Sequence, residues 1–268
     1  MNGRAGTDVL RPGDGRPSSS LARVAAMLEM ELRLTSRRLE NLFVTLLLPA
    51  VLLLFFGAIE ILPDAATPAT GARPIDGVLP AILATAIVAS GLVNLGISTG
   101  FERSYGVLKR LGASPLTRGQ LLAGKIGTIL VVETVQAVLL VGLAIVLFGW
   151  RPGPDWNPLA VVAAVALGTA AFSALGLLFA GTLRAEATMA LTNALFLLGL
   201  LLGGLLVPAH QLPGLLGAFA SLLPTAALAD ALRVGLGAST GDLVGPLVLL
   251  AAWAAGTGIL TARTFRWE

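Results

Sequence analysis

No cysteine occurs in the 268 residues, which excludes disulfides, thiolate metal sites and cysteine nucleophiles together. Histidine is almost missing too: His210 stands alone beside Pro208 and Gln211. A metal needs several ligands close together, so a solvated histidine at a membrane boundary is the simpler reading. Charge is scarce, at 12% of residues against 56% hydrophobic ones and a mean hydropathy of +0.86, which an ordinary soluble domain does not show. The 15 carboxylates include no H-E-x-x-H or similar cluster, so no catalytic or metal site is expected.

What the chain does have is long apolar runs. Six are near the 20 or so helical residues that cross a hydrocarbon core: 42 to 62, 78 to 100, 126 to 148, 158 to 182, 188 to 207 and 243 to 262. They predict an all-α polytopic membrane protein with six transmembrane helices. Residues 1 to 19 are too polar to order themselves and read as a disordered cytoplasmic tail, without the apolar stretch of a cleaved signal. From 20 to 40, Leu21, Val24, Leu28, Leu32, Thr35 and Leu39 follow helical spacing with charges off the stripe, which predicts an interfacial amphipathic helix. Residues 208 to 242 are broken by Pro208, Pro213 and Pro224 into two pieces of about 10 residues, too short to span, and predict outer re-entrant half-helices. On the second piece Asp230 and Arg233, three apart, pair on one face, either as a buried anchor or as an exposed pair.

The net charge of +3 and pI near 10.2 point to no nucleic acid here; the placement of the basic residues matters more. With the N-terminus inside, cytoplasmic segments hold 15 of the 18 Lys and Arg, leaving Arg73, Arg151 and Arg233 outside. Both termini are therefore expected in the cytoplasm.

Five of the basic residues lie in one charged island, 101 to 125. Phe101, Tyr105, Leu108 and Gly112 recur at helical spacing, flanked by Arg103, Lys109 and Arg110, and predict a short helix that Gly112 ends and Pro115 stops. Thr117 and Gln120 then have the spacing of a reciprocal cap on the next helix. Within that start, residues 119 to 125 match seven positions of a phosphate-binding P-loop, but the eighth is Ile126, no strand precedes it and a span follows.

Polar residues inside the spans are the candidates for a pathway or an interface. Glu133 lies about two turns into the third span with Gln136 beside it, and Lys125 falls on roughly the same face. Glu133 either pairs with a cation near the boundary or lines a pathway. Asn94 marks the second span and Asn193 the fifth; Gly199 and Gly203 permit a close helix approach within the chain or between subunits.

Glu102, then Gly106-Val107-Leu108-Lys109-Arg110-Leu111 and Ala113-Ser114-Pro115-Leu116, resemble the cytoplasmic loop of ABC type-2 permeases, of which the daunorubicin-resistance type is one. Leu212-Pro213, Leu223-Pro224-Thr225 and Asp230-Ala231-Leu232-Arg233 resemble the segment before that family's last span. The resemblance covers 20 to 268 as one transmembrane domain. It implies a coupling helix that meets an ABC ATPase through Glu102, Arg103, Tyr105, Leu108, Lys109 and Arg110. It also implies two ATPase copies that hold the ATP and Mg, no cofactor in this chain, and a second permease copy, identical or related, paired around a pathway that includes the fifth span. The setting it implies is a bacterial cytoplasmic membrane.

Few intramembrane charges favour an amphipathic or hydrophobic cargo, drug or lipid-like, moved outward. Polysaccharide exporters share the architecture, but sugar-stacking aromatics are thin here, with one Tyr and four Trp. A proton-coupled secondary transporter using Glu133 would show internal repeats and broken mid-membrane helices, and a lipid-acting enzyme a clustered acid, base or metal site. Neither signal is found.

Overall fold

The computed structural model describes residues 19–37, 39–58, 73–113, 116–205 and 212–266, with side chains of the second segment described from Thr45 onward. The expected N-terminal tail, Ser114-Pro115, Pro208, His210 and Gln211 lie outside the described residues. All regular structure among the described residues is helical.

The chain opens with α1 (Ser20–Arg37) and α2 (Leu39–Ala58). A rod follows, built of α3 (Pro74–Val88), a π-helical segment (Ala89–Asn94) and α4 (Leu95–Ser104). After a turn come α5 (Val107–Gly112), α6 (Arg118–Phe148), α7 (Pro158–Thr182) and α8 (Ala185–Leu202). The last part is α9 (Gly214–Ala220), α10 (Pro224–Gly235) and α11 (Val244–Thr264). Among the described residues, five stretches are long and apolar enough to cross a membrane: Pro74–Ser104, Arg118–Phe148, Pro158–Thr182, Ala185–Leu202 and Val244–Thr264. The remaining predicted span is α2, whose described part, Thr45–Ala58, is apolar.

Helix starts explain where the predicted boundaries shift. The second span begins at Pro74 rather than 78 because Pro suits a first turn and the Asp76 carboxylate accepts from the Arg73 amide at 3.0 Å. The third begins at Arg118 rather than 126. There the Gln120 amide donates to Thr117 Oγ1 at 3.3 Å and the Thr117 amide to Gln120 Oε1 at 3.1 Å, the reciprocal cap expected from their spacing. The last eight residues of the charged island are thus part of the transmembrane rod.

Glycine and alanine make α7 the helix around which the others gather. A Cβ on Gly176 would sit 2.7 Å from the carbonyl oxygens of Gly91 and Leu92, so only glycine lets α7 meet the π segment backbone to backbone. α7 also packs on α4, α10 and α11. The π segment itself is closed by the Leu95 amide donating to the Ser90 carbonyl, an i to i+5 bond.

α9 and α10 meet at 78° and hold 7 and 12 residues, about 10 and 18 Å of helix, each short of the ~30 Å core. They are less equal than the sequence suggested. α10 is also no rim element: Thr225 to Ala229, Ala231 and Leu232 are buried against neighbours that include α3, α7 and α11.

α1 buries the predicted face except at its start, with Val24, Leu28, Leu32 and Thr35 half-buried. Leu21 of the predicted stripe is 82% exposed, whereas Met27 is 2% exposed because it rests on Gly124 of α6. A Cβ there would lie 2.5 Å from Met27 Cγ. The helix is fixed to α6 along Met27, Leu28 and Glu31, with Gln120 Nε2 donating to Ser20 Oγ at 2.8 Å.

Candidate functional site

A groove of about 560 Å³ runs between α2 and the α3–α4 rod. Its wall is mostly apolar, with Leu48, Pro49, Val93, Ile97 and Phe101, and its polar points include Thr45, Asn94, Glu102 and Gln136. Asn94 Nδ2 reaches Thr45 Oγ1 at 3.4 Å, so the exposed amide bridges the two walls. Three of the residues singled out from sequence, Asn94, Glu102 and Gln136, therefore share one surface. Asn193 does not: it sits on the exposed side of α8 and donates to the Met189 carbonyl of its own helix at 2.8 Å.

At one end of the groove is a buried ion cluster. Lys125 Nζ lies 2.7 Å from Glu31 Oε1 and 2.7 Å from Glu102 Oε2, with only 1% of the lysine side chain exposed. Three elements, α1, α4 and α6, converge on this one ammonium, which a charge taken from water requires. Lys125 is thus not the partner of Glu133, although the two share a helix face.

Deeper along α6, Glu133 and Gln136 are each 2% exposed. Thr169 of α7 donates to Glu133 Oε2, and Gln136 Nε2 donates to the Thr45 carbonyl at 2.6 Å. Glu133 Oε1 and Gln136 Oε1 have no hydrogen-bond partner among the described residues. Both side chains line a cavity of about 10 Å³ between α3, α6 and α7.

The ABC-2 type transporter family model matches residues 22–236, from α1 to just past the end of α10. The chain belongs to the ABC-2 type transporter family. No curated protein matches it.

In this ABC-2 permease the loop between the second and third spans is a folded corner rather than one helix. The helix ends at Ser104, Gly106 takes φ +72°, a conformation L side chains rarely adopt, and α5 restarts at a new angle. That break separates residues the sequence had placed on one stripe. Tyr105 is 74% exposed, and Lys109 and Arg110 are exposed with it. Leu108 faces the opposite way and is fully buried in a cluster with Met27, Leu121, Leu122, Leu177 and Phe265 of the same chain. Glu102 is held by Lys125, and Arg103 Nη2 donates to the Leu183 carbonyl. Leu108 is therefore corrected from partner-facing to internal, Glu102 and Arg103 are half-buried and engaged within the chain, and Tyr105, Lys109 and Arg110 keep an outward position.

Of the two readings of Gly199 and Gly203, the structure supports close approach within the chain. Gly199 and Gly203 lie against Thr225 of α10, where added Cβ atoms would come within 2.8 Å of Cγ2 and 2.0 Å of Oγ1. They serve packing inside the chain. Pro213 caps α9, and buried Pro224 opens α10. Of the two readings of Asp230 and Arg233, the structure supports the anchor: Arg233 Nη1 meets Asp230 Oδ1 at 3.1 Å, and Nη2 donates to the Gly204 carbonyl at 2.5 Å, tying α10 to the end of α8.

Sequence reasoning missed Glu31, Thr45 and Thr169. Glu31 carried a readable signal, a carboxylate three residues from Leu28 and next to Leu32 on a helix otherwise apolar along that side. Thr45 and Thr169 carried none, since threonines are common in spans.

Proposed function

We propose that the chain is the permease subunit of an ABC exporter, carrying an amphipathic or hydrophobic cargo, drug or lipid-like, outward across a bacterial cytoplasmic membrane. It works with two ABC ATPase subunits, which hold the ATP and Mg, and with a second permease copy. The observation that carries this reading is the family match over 22–236. Two further features support it. Residues 119 to 125 lie inside α6, where the Leu121 amide already donates to the Thr117 carbonyl at 3.0 Å and Lys125 is buried between two carboxylates, so this run offers no cradle for phosphate. The corner around Gly106 presents Tyr105 and Val107, 74% and 41% exposed, beside Lys109 and Arg110: an apolar patch with cations at its rim.

The corner joins two long rods, Pro74–Ser104 and Arg118–Phe148, both of which border the groove or its deep cavity. A push on it by an ATPase moves both rods together and, through Lys125, α1 as well. With the N-terminus in the cytoplasm this corner is cytoplasmic, where an ATPase works.

Changing Tyr105 to Ala together with Val107 to Asp is expected to leave the chain folded, since both side chains are exposed, while copurification of the ATPase falls at least about tenfold. Undiminished copurification would remove this corner from the contact. Orientation is checked in the naturally cysteine-free chain: a cysteine at Ser114 should react with a membrane-impermeant maleimide only from the cytoplasmic side, and one at Ala69 only from outside. The reverse pattern would invert the scheme.

A further inference from the structure

Glu133 and Gln136 each carry one acceptor oxygen, Oε1, with no donor among the described residues. A hydroxyl carries one hydrogen, and Thr169 Oγ1 lies near both Glu133 Oε2 and the Val165 carbonyl, the latter at 2.8 Å, so the carboxylate receives at most one hydrogen bond. Its other oxygen receives none from the described residues. The Gln136 amide cannot be turned round to help. Its nitrogen is fixed by the Thr45 carbonyl, which only accepts, and this leaves Oε1 as a second unpartnered acceptor. Lys125, the nearer of the two cations along the same helix, is already shared by Glu31 and Glu102. A carboxylate 2% exposed inside a span, with no cation paired to it among the described residues, would gain from a cationic donor.

The surrounding space indicates the donor's shape. The cavity of about 10 Å³ that Glu133 and Gln136 line is close to one water-sized sphere, which is also the size of an ammonium head. Ala86 and Gln136 line both this cavity and the groove of about 560 Å³, whose walls are apolar at Leu48, Val93 and Ile97. A small acceptor-only pocket therefore adjoins a long apolar one.

We propose that Glu133 and Gln136 bind the head of amphiphilic primary amines, the N–H groups donating to Glu133 Oε1 and Gln136 Oε1 while the apolar tail lies in the groove between α2 and the α3–α4 rod. The inference narrows the cargo of the exporter reading and rests on it for the word cargo, but binding itself needs no ATPase.

The test is equilibrium dialysis of radiolabelled dodecylamine and dodecanol at pH 7 against the full chain in lipid nanodiscs, with empty nanodiscs subtracted. Dodecylammonium should bind saturably and at least about tenfold tighter than dodecanol, as a charge-assisted hydrogen bond permits. Glu133→Gln should abolish that preference and leave dodecanol binding as it was. Equal binding of the two probes to the wild type, or an unchanged preference in Glu133→Gln, would mean that the cavity holds only water, and would overturn the proposal. Should Glu133→Gln fail to fold, the wild type still decides through dodecyltrimethylammonium. This probe has the charge, but no N–H group and a head too large for the cavity, so it should bind no tighter than dodecanol. Binding equal to that of the primary amine overturns the proposal, because charge alone would then govern. A chain that prefers the primary amine yet recruits no ATPase sinks the exporter reading instead, so the two failures are distinguishable.

Discussion

Replacing Lys125 with Met should destabilise the chain by about 3–5 kcal/mol, the usual cost of leaving buried charge unpaired. The lysine is 1% exposed, and the carboxylates on it, Glu31 and Glu102, are 15% and 24% exposed, so water compensates little for its loss. Two carboxylates that each lay 2.7 Å from one ammonium would then face each other. Removing a carboxylate is different in kind. Glu31→Gln or Glu102→Gln leaves one acid on one base and should be much milder, and the triple change Glu31→Gln, Glu102→Gln, Lys125→Met should recover most of the loss. The measurement is the thermal midpoint in detergent across this set. A Lys125→Met chain as stable as the wild type would show that the cluster is wet and contributes little.

Leu108→Asp should likewise cripple the chain itself. The side chain is fully buried between α1, α6, α7 and Phe265, so the change both removes a core leucine, worth about 2–5 kcal/mol, and puts a charge into an apolar cluster. Yield and thermal midpoint should fall before any ATPase is added, whereas the exposed pair Tyr105 and Val107 should tolerate change without loss of fold. A Leu108→Asp chain that folds and self-associates normally, losing only its ATPase, would place Leu108 on the outside after all.

Much of this was readable from local chemistry. Apolar run length gave the spans, Thr117 and Gln120 gave the start of α6, Gly112 gave the end of α5, and the three-residue spacing of Asp230 and Arg233 gave their pair. What spacing left open was which neighbour covers a face. Lys125 and Glu133 do share a side of α6, but α1 supplies Glu31 from another part of the chain and the lysine goes there. Gly199 and Gly203 do permit close approach, and the element approaching is α10. Spacing names the residues on a face; only the fold names its occupant. The stripe Phe101, Tyr105, Leu108, Gly112 failed, since counting by 3.6 assumes an unbroken helix and Gly106 leaves that conformation.

The π segment in the Pro74–Ser104 rod has the same arithmetic built into it. Its wider turn takes up residues that an α-helix would pass through faster, so everything after Asn94 is re-phased relative to everything before Ala89. Wound as a regular α-helix, the same residues would bring Glu102 in about 100° further round the axis, turned off Lys125. The segment acts as a vernier between the two halves of the rod. It lets the upper half keep its fit to α2 and α10 while the lower half is set, independently, to the angle at which its carboxylate finds the lysine.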